Sequence, residues 1–140
     1  MAFWADAWKL TALYVALNAL IMLVLSMLVV RSRVATGTEI GHGDSAAMLR
    51  AVRAHGNTAE NVPMPLLMMI IITALGGSLW LVHAVGAPLT IGRILHGVAL
   101  SRSTGPSLAR FLGMVLTWMA FIAGIAALVW LIFNNAPNQG

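Results

Sequence analysis

The stretch AVRAHGNTAENVPMPLLMMII, residues 51–71, carries an arginine, a histidine, two asparagines and a glutamate straight into one of the most apolar segments of the chain. Groups that hydrogen-bond this strongly are costly at a bilayer edge unless they face protein, water or a ligand. The rest of the sequence says that a bilayer is present. Of the 140 residues, 60% are hydrophobic and 9% charged, with mean hydropathy +0.90. A soluble domain carries about 25% charged residues. A chain this short has no interior large enough for that much apolar surface, so it belongs in a membrane.

Four apolar segments approach the roughly 20 residues that a bilayer crossing needs. They are read as spans over residues 10–30, 62–85, 87–104 and 108–133, within a single all-α domain covering 1–140. The third is the weakest by hydropathy, because Arg93 and His96 interrupt it. It is still read as spanning, since the flanking charges require an even number of crossings. Arg31, Arg33, Arg50 and Arg53 separate the first two spans, and Arg102 and Arg110 surround the junction of the last two. The other side has Lys9, offset by Asp6, and the loop GGSLWLVHAVGAP, which has no formal charge. The excess of arginine assigns both basic loops to the cytoplasm and both termini to the outside. Trp4, Trp8, Trp80 and Trp130 fall at the outer boundary in that arrangement, where indoles prefer to sit. The opening MAFWADAWKL has no basic leader or small-residue cleavage site and reads as part of an uncleaved first span.

Helix two is expected to start near residue 45, before the membrane. Asp44 and Ser45 are good N-caps, and AAMLRAVRAH follows in helix-forming residues. Pro63 and Pro65 should kink it on entry to the apolar zone. At 100° per residue, Arg53, Asn57 and Glu60 lie within about 60° of one another, and Arg50 and Asn61 widen that arc to roughly 100°. Such a stripe must face protein or water. It is either a packing stripe, with Arg53 and Glu60 neutralising each other or a neighbour, or a ligand stripe. In the second case a guanidinium fork suits a carboxylate, an amide suits a peptide group and a carboxylate suits an ammonium. Those chemistries together describe a small zwitterionic peptide.

Arg93 and His96 share a face of helix three at i, i+3. Arg93 pairs either with Glu60, the only acid at comparable depth, or with a ligand. No histidine has an i, i+4 partner or an acidic cluster beside it, so no metal site is expected. With no cysteine, thiolate chemistry by the protein itself is excluded. No surface stretch interleaves aromatic and basic residues, so nucleic acid is not an expected partner.

Three motifs taken together resemble a known family. RAHGNTAENVP (residues 53–63), GRILH (92–96) and GPSLARFLGM (105–114) are similar to the membrane-associated proteins in eicosanoid and glutathione metabolism, the MAPEG family, and most closely to its small bacterial branch. The resemblance covers four spans in order, from Val30 to Phe133. It implies an integral membrane four-helix bundle, assembled as a homotrimer in a bacterial inner membrane with both termini periplasmic. Glutathione would be the co-substrate, bound between subunits near the cytoplasmic face, and the second substrate a lipophilic electrophile arriving from the membrane lipid. Arg53, Asn57 and Glu60 would hold glutathione. Arg93 and His96 match the family's polar positions on helix three. Arg31 or Arg33 falls where a further carboxylate contact is usual. Arg110 stands where the family places the arginine that stabilises the thiolate, and is the catalytic candidate. The activity implied is that of a glutathione transferase or peroxidase.

The sequence departs from the family at two places. Asn61 follows Glu60 where tyrosine is frequent, and HGVALS carries no tyrosine after His96. The single tyrosine, Tyr14, lies deep in helix one. The alternative reading is therefore a non-catalytic relative that binds lipid or serves as an accessory subunit of a larger membrane complex.

Overall fold

The computed structural model describes residues 2–103 and 105–134, with side chains described from residue 6 onward, so the expected boundary position of Trp4 lies outside the described side chains. The described chain is helical, with turns and short loops between the helices: α1 (Ala2–Thr36), α2 (Ala46–Asn61), α3 (Pro63–Ala74), α4 (Leu79–Arg102) and α5 (Leu108–Asn134). By length and composition α1, α4 and α5 suffice to cross a bilayer. α3 has only 12 residues. It continues α2, however, and the two together, of 16 and 12 residues, have the length for a further traverse of the all-α bundle.

The junction of α2 and α3 follows from its prolines. Pro63 and Pro65 have no N–H to donate, so the hydrogen-bond ladder lapses there. Val62 nonetheless keeps helical backbone angles, φ −81° and ψ −42°. Its amide donates to the Thr58 carbonyl at 3.0 Å, and its own carbonyl accepts from the Leu66 amide at 3.3 Å. The helix is interrupted there without being ended. At the other end of α2 the cap is Ser45, whose hydroxyl accepts from the Met48 amide at 3.2 Å.

The expected outer loop is the main correction. The segment read as a second span through Val85 ends its helix at Ala74, and α4 starts at Leu79, well before residue 87. Gly76, at φ +85°, takes the left-handed conformation that closes a helix. The Gly77 amide donates to Ile72 O at 2.8 Å and the Gly76 amide to Thr73 O at 3.1 Å, the two bonds of a Schellman stop. Hydropathy passes over this stop because apolar residues lie on both sides of it. Gly86 and Pro88, which look like loop residues, lie inside α4. Gly86 forms a notch for the ring of Tyr14, into which a Cβ would run. As a result α4 is 24 residues long, enough to cross a membrane despite Arg93.

The helices alternate in direction. Trp8, Trp80 and Trp130 are exposed at one end of the bundle, and the arginines gather at the other. α4 is the embedded helix, packing against α1, α2, α3 and α5. Its polar residues bind its neighbours. Asn18 of α1 donates to Thr90 at 2.9 Å, and Tyr14 and His83 are hydrogen-bonded at 2.8 Å. Thr11 and Thr73 share a bond of 2.7 Å between α1 and α3. With little hydrophobic drive between helices in lipid, such bonds and close contacts hold a bundle together. The backbones of α4 and α5 come close at Gly92 and Gly113, where a Cβ on either would lie 2.7 Å from the other's carbonyl oxygen. Outward, α1 and α5 present Leu20, Leu23, Met27, Phe111, Ile122 and Ile132 as exposed apolar side chains suited to lipid contact.

Candidate functional site

Three helices converge at the basic end around a recess of about 300 Å³. α2 contributes Leu49, Arg50, Arg53 and Asn57, α4 contributes His96 and Leu100, and α5 contributes Arg110. The spacing explains the arrangement: positions 50, 53 and 57 lie on one helical face, as do 96 and 100. Arg110 sits in the first turn of α5, whose start is capped by Ser107, the Ser107 hydroxyl accepting from the Arg110 amide at 3.2 Å. Its guanidinium folds back to donate to the Gly105 carbonyl at 2.7 Å, which holds it across the mouth of the α4–α5 loop.

The recess therefore contains three guanidiniums and no carboxylate. Its volume is at the lower end of ordinary small-ligand pockets. Like charges gathered in a partly desolvated cleft favour an anion. Two buried ring and guanidinium nitrogens here, His96 Nδ1 and Arg50 Nε, have no hydrogen-bond partner among the described residues. Buried polar atoms are normally satisfied, so their hydrogen-bonding capacity remains for a ligand or water.

Of the residues singled out in the sequence, Arg53, Asn57, His96 and Arg110 come together in this recess. Glu60 does not line it and is exposed on the outside of α2. Arg31 is exposed at the end of α1, and Arg33 is tied into the following loop by donating to Thr38 O at 3.2 Å and Glu39 O at 2.7 Å. Arg93 lies behind the recess with no solvent exposure. The Arg93–Glu60 pairing is absent. Arg93 instead donates to Asn57 Oδ1 at 2.8 Å and to Thr117 Oγ1 at 2.7 Å. Thr117 comes from a helix far along the chain, a pairing the sequence pattern could not single out. Arg50 lines the recess although it stands outside the expected ligand set. Its signal was the Arg50–Arg53–Asn57 spacing, one face of one helix.

The MAPEG family model matches residues 11–130 of the chain. Inner membrane protein YecN of Escherichia coli (strain K12) is 32% identical over 120 residues, covering 86% of this chain and 90% of that protein. The protein of the same name from Escherichia coli O6:H1 matches to the same extent. No solved structure gives a significant match.

Proposed function

Because the chain belongs to the MAPEG family, we propose that it binds glutathione as co-substrate and transfers it to, or uses it to reduce, lipophilic electrophiles held in the membrane. The observation that carries this reading is the recess in which Arg50, Arg53, Arg110, Asn57 and His96 meet with no acid among them. Glutathione has two carboxylates, one ammonium and one thiol. Arg50 and Arg53 suit the carboxylates, since guanidinium forks bind them in bidentate fashion. Arg110 serves the sulfur. A thiol ionises near pH 8.5, and an adjacent guanidinium favours the thiolate, the nucleophilic form. With a carbon electrophile the thiolate forms a C–S bond, and the displaced electron pair leaves with a departing group or moves onto an oxygen that then takes a proton. With a hydroperoxide it attacks the terminal oxygen, the alcohol departs on protonation, and a second glutathione attacks the resulting sulfenic acid to give the disulfide and water.

The ammonium needs an acid, and Glu60 is outside the recess in its own chain. A homotrimer resolves this by directing the exposed Glu60 toward the recess of a neighbouring subunit. Placement in a bacterial inner membrane accords with the name of the E. coli relatives. The excess of arginine puts the recess at the cytoplasmic face and both termini in the periplasm, so the peptide arrives from the cytosol and the electrophile through the bilayer.

One observation favours a second reading, a non-catalytic lipid-binding or accessory subunit of a membrane complex. No residue lining the recess has a hydroxyl, and Tyr14 is bonded to His83 at the opposite end of the bundle. Calorimetric titration of glutathione into the purified protein separates the two. The first reading requires binding in the millimolar range or tighter, weakened about tenfold or more by Arg50→Ala or Arg53→Ala. No heat at millimolar glutathione, together with co-purification of a stable partner, establishes the second.

A further inference from the structure

Arg93 is the largest fully buried side chain in the described protein. A guanidinium has five N–H donors and no acceptor. Nη2 donates to Thr117 Oγ1 at 2.7 Å and approaches Met114 Sδ at 3.4 Å. The Thr117 hydroxyl gives its own proton to the Gly113 carbonyl at 2.8 Å, so it presents a lone pair to Arg93. The Gly92–Gly113 crossing makes this reach possible, since a Cβ on Gly92 would lie 3.1 Å from Thr117 Oγ1. On its other side, Nη1 donates to Asn57 Oδ1 at 2.8 Å.

The polarity of that last bond has a consequence. An amide side chain is nearly symmetric in shape and can present either its oxygen or its NH2 to a neighbour. A guanidinium accepts nothing, so only the oxygen can face Arg93. The NH2 must then point the other way, and Asn57 lines the recess. Asn57 Nδ2 donates no hydrogen bond to the described residues, while Asn61 satisfies the Asn57 carbonyl from behind at 2.8 Å.

We propose that Arg93 is a positioning residue that never meets the ligand: anchored on Thr117, it locks the Asn57 amide with its NH2 turned into the recess. The α2 and α5 walls of the recess thereby present donors alone, with Asn57 added to Arg50, Arg53 and Arg110, and they favour a ligand that brings carboxylate or carbonyl acceptors over one that brings only donors. The identity of that ligand rests on the glutathione reading above; the lock itself does not.

The test uses the full chain in nanodiscs with ¹⁵N-asparagine labelling. The Asn57 side-chain NH2 resonances are assigned by their loss in Asn57→Ala. Arg93→Lys, Arg93→Met and Thr117→Val should each displace or broaden that pair, with Thr117→Val the variant of least structural cost. An unmoved pair in Thr117→Val and Arg93→Lys overturns the lock. Glutathione titration supplies the second readout. Arg93→Met and Arg93→Lys should weaken affinity about tenfold alike, because lysine keeps the charge but cannot bridge both acceptors. In an Asn57→Ala background the same changes should add less than about twofold. Additive losses, or full affinity in Arg93→Lys, would mean that Arg93 acts on the ligand directly and would overturn the proposal. If the wild type binds no glutathione, the functional reading fails, and the amide resonances alone decide the lock.

Discussion

The hydroxyl of Tyr14 lies 2.8 Å from Nδ1 of His83, at the tryptophan-bearing end of the bundle, while Arg110 lines the recess at the arginine-bearing end. The one phenol in the chain is thus separated from the proposed sulfur site by most of the thickness of the fold. Tyr14→Phe should leave glutathione affinity and turnover within about twofold while lowering thermal stability by about 1 kcal/mol, the usual worth of one partly buried hydrogen bond. Parallel calorimetry, turnover and melting measurements check this. A collapse of turnover without loss of fold would move the chemistry to the other end of the bundle.

With the phenol remote, the proposed glutathione reading leaves thiolate stabilisation to Arg110 and the carboxylates to Arg50 and Arg53. Binding and ionisation should therefore separate. Arg110→Ala should abolish most of the ultraviolet absorbance of bound thiolate at neutral pH and lower turnover at least tenfold, with affinity reduced by only a few-fold. The absorbance is recorded on saturated protein, so that a change in occupancy does not mimic a change in ionisation. An unchanged thiolate signal would leave Arg110 as a loop anchor through Gly105 and nothing more.

The recess also depends on backbone proximity directly behind one of its lining residues, His96. Cβ atoms built on Gly113 meet the Gly92 carbonyl at 2.7 Å and the His96 amide nitrogen at 2.8 Å, and neither backbone atom has room to withdraw while the helices stay crossed. Gly113→Ala should cost about 1–3 kcal/mol in stability and weaken glutathione binding, because separating α4 from α5 moves His96 and pulls Thr117 from Arg93. Gly56→Ala, where nothing lies within 4 Å of the added carbon, is the control and should be neutral or slightly stabilising. Detergent melting curves of the two variants side by side provide the measurement.

Much of this was legible in the sequence because it is local. The membrane class follows from composition, the basic end from six arginines, the interruption at Pro63 from missing amide donors, and the convergence of Arg53 and Asn57 from their spacing on one helix. The α3–α4 turn was misplaced because a Schellman stop is a backbone event and hydropathy averages across it. The partner of Arg93 was hidden for another reason. Thr117 has no polar sequence neighbour to mark it, and its contact exists only because two glycines let α4 and α5 approach. Glu60 shares a helical arc with Arg53, yet Arg53 lines the recess and Glu60 does not, because angle on one helix does not fix what the neighbouring helices enclose.

That last point leads to an experiment on assembly. Glu60 is exposed and outside its own chain's recess, whereas Arg110 lines it. If the ammonium of glutathione is met by Glu60 of a neighbouring subunit, each site draws Glu60 from one chain and Arg110 from another. Glu60→Gln and Arg110→Ala proteins should then each be inactive alone. Co-expression in equal amounts should restore about a quarter of wild-type turnover, because in a closed ring one subunit pairing in four combines an intact glutamate with an intact arginine. Sites built within single chains predict no restoration, since every chain carries one defect. Differential tags verify that the two chains occupy the same oligomer, so a null result cannot come from segregation. Recovery from mixed oligomers would place both side chains in one shared site, and silence from verified mixed oligomers would assign Glu60 to packing between subunits.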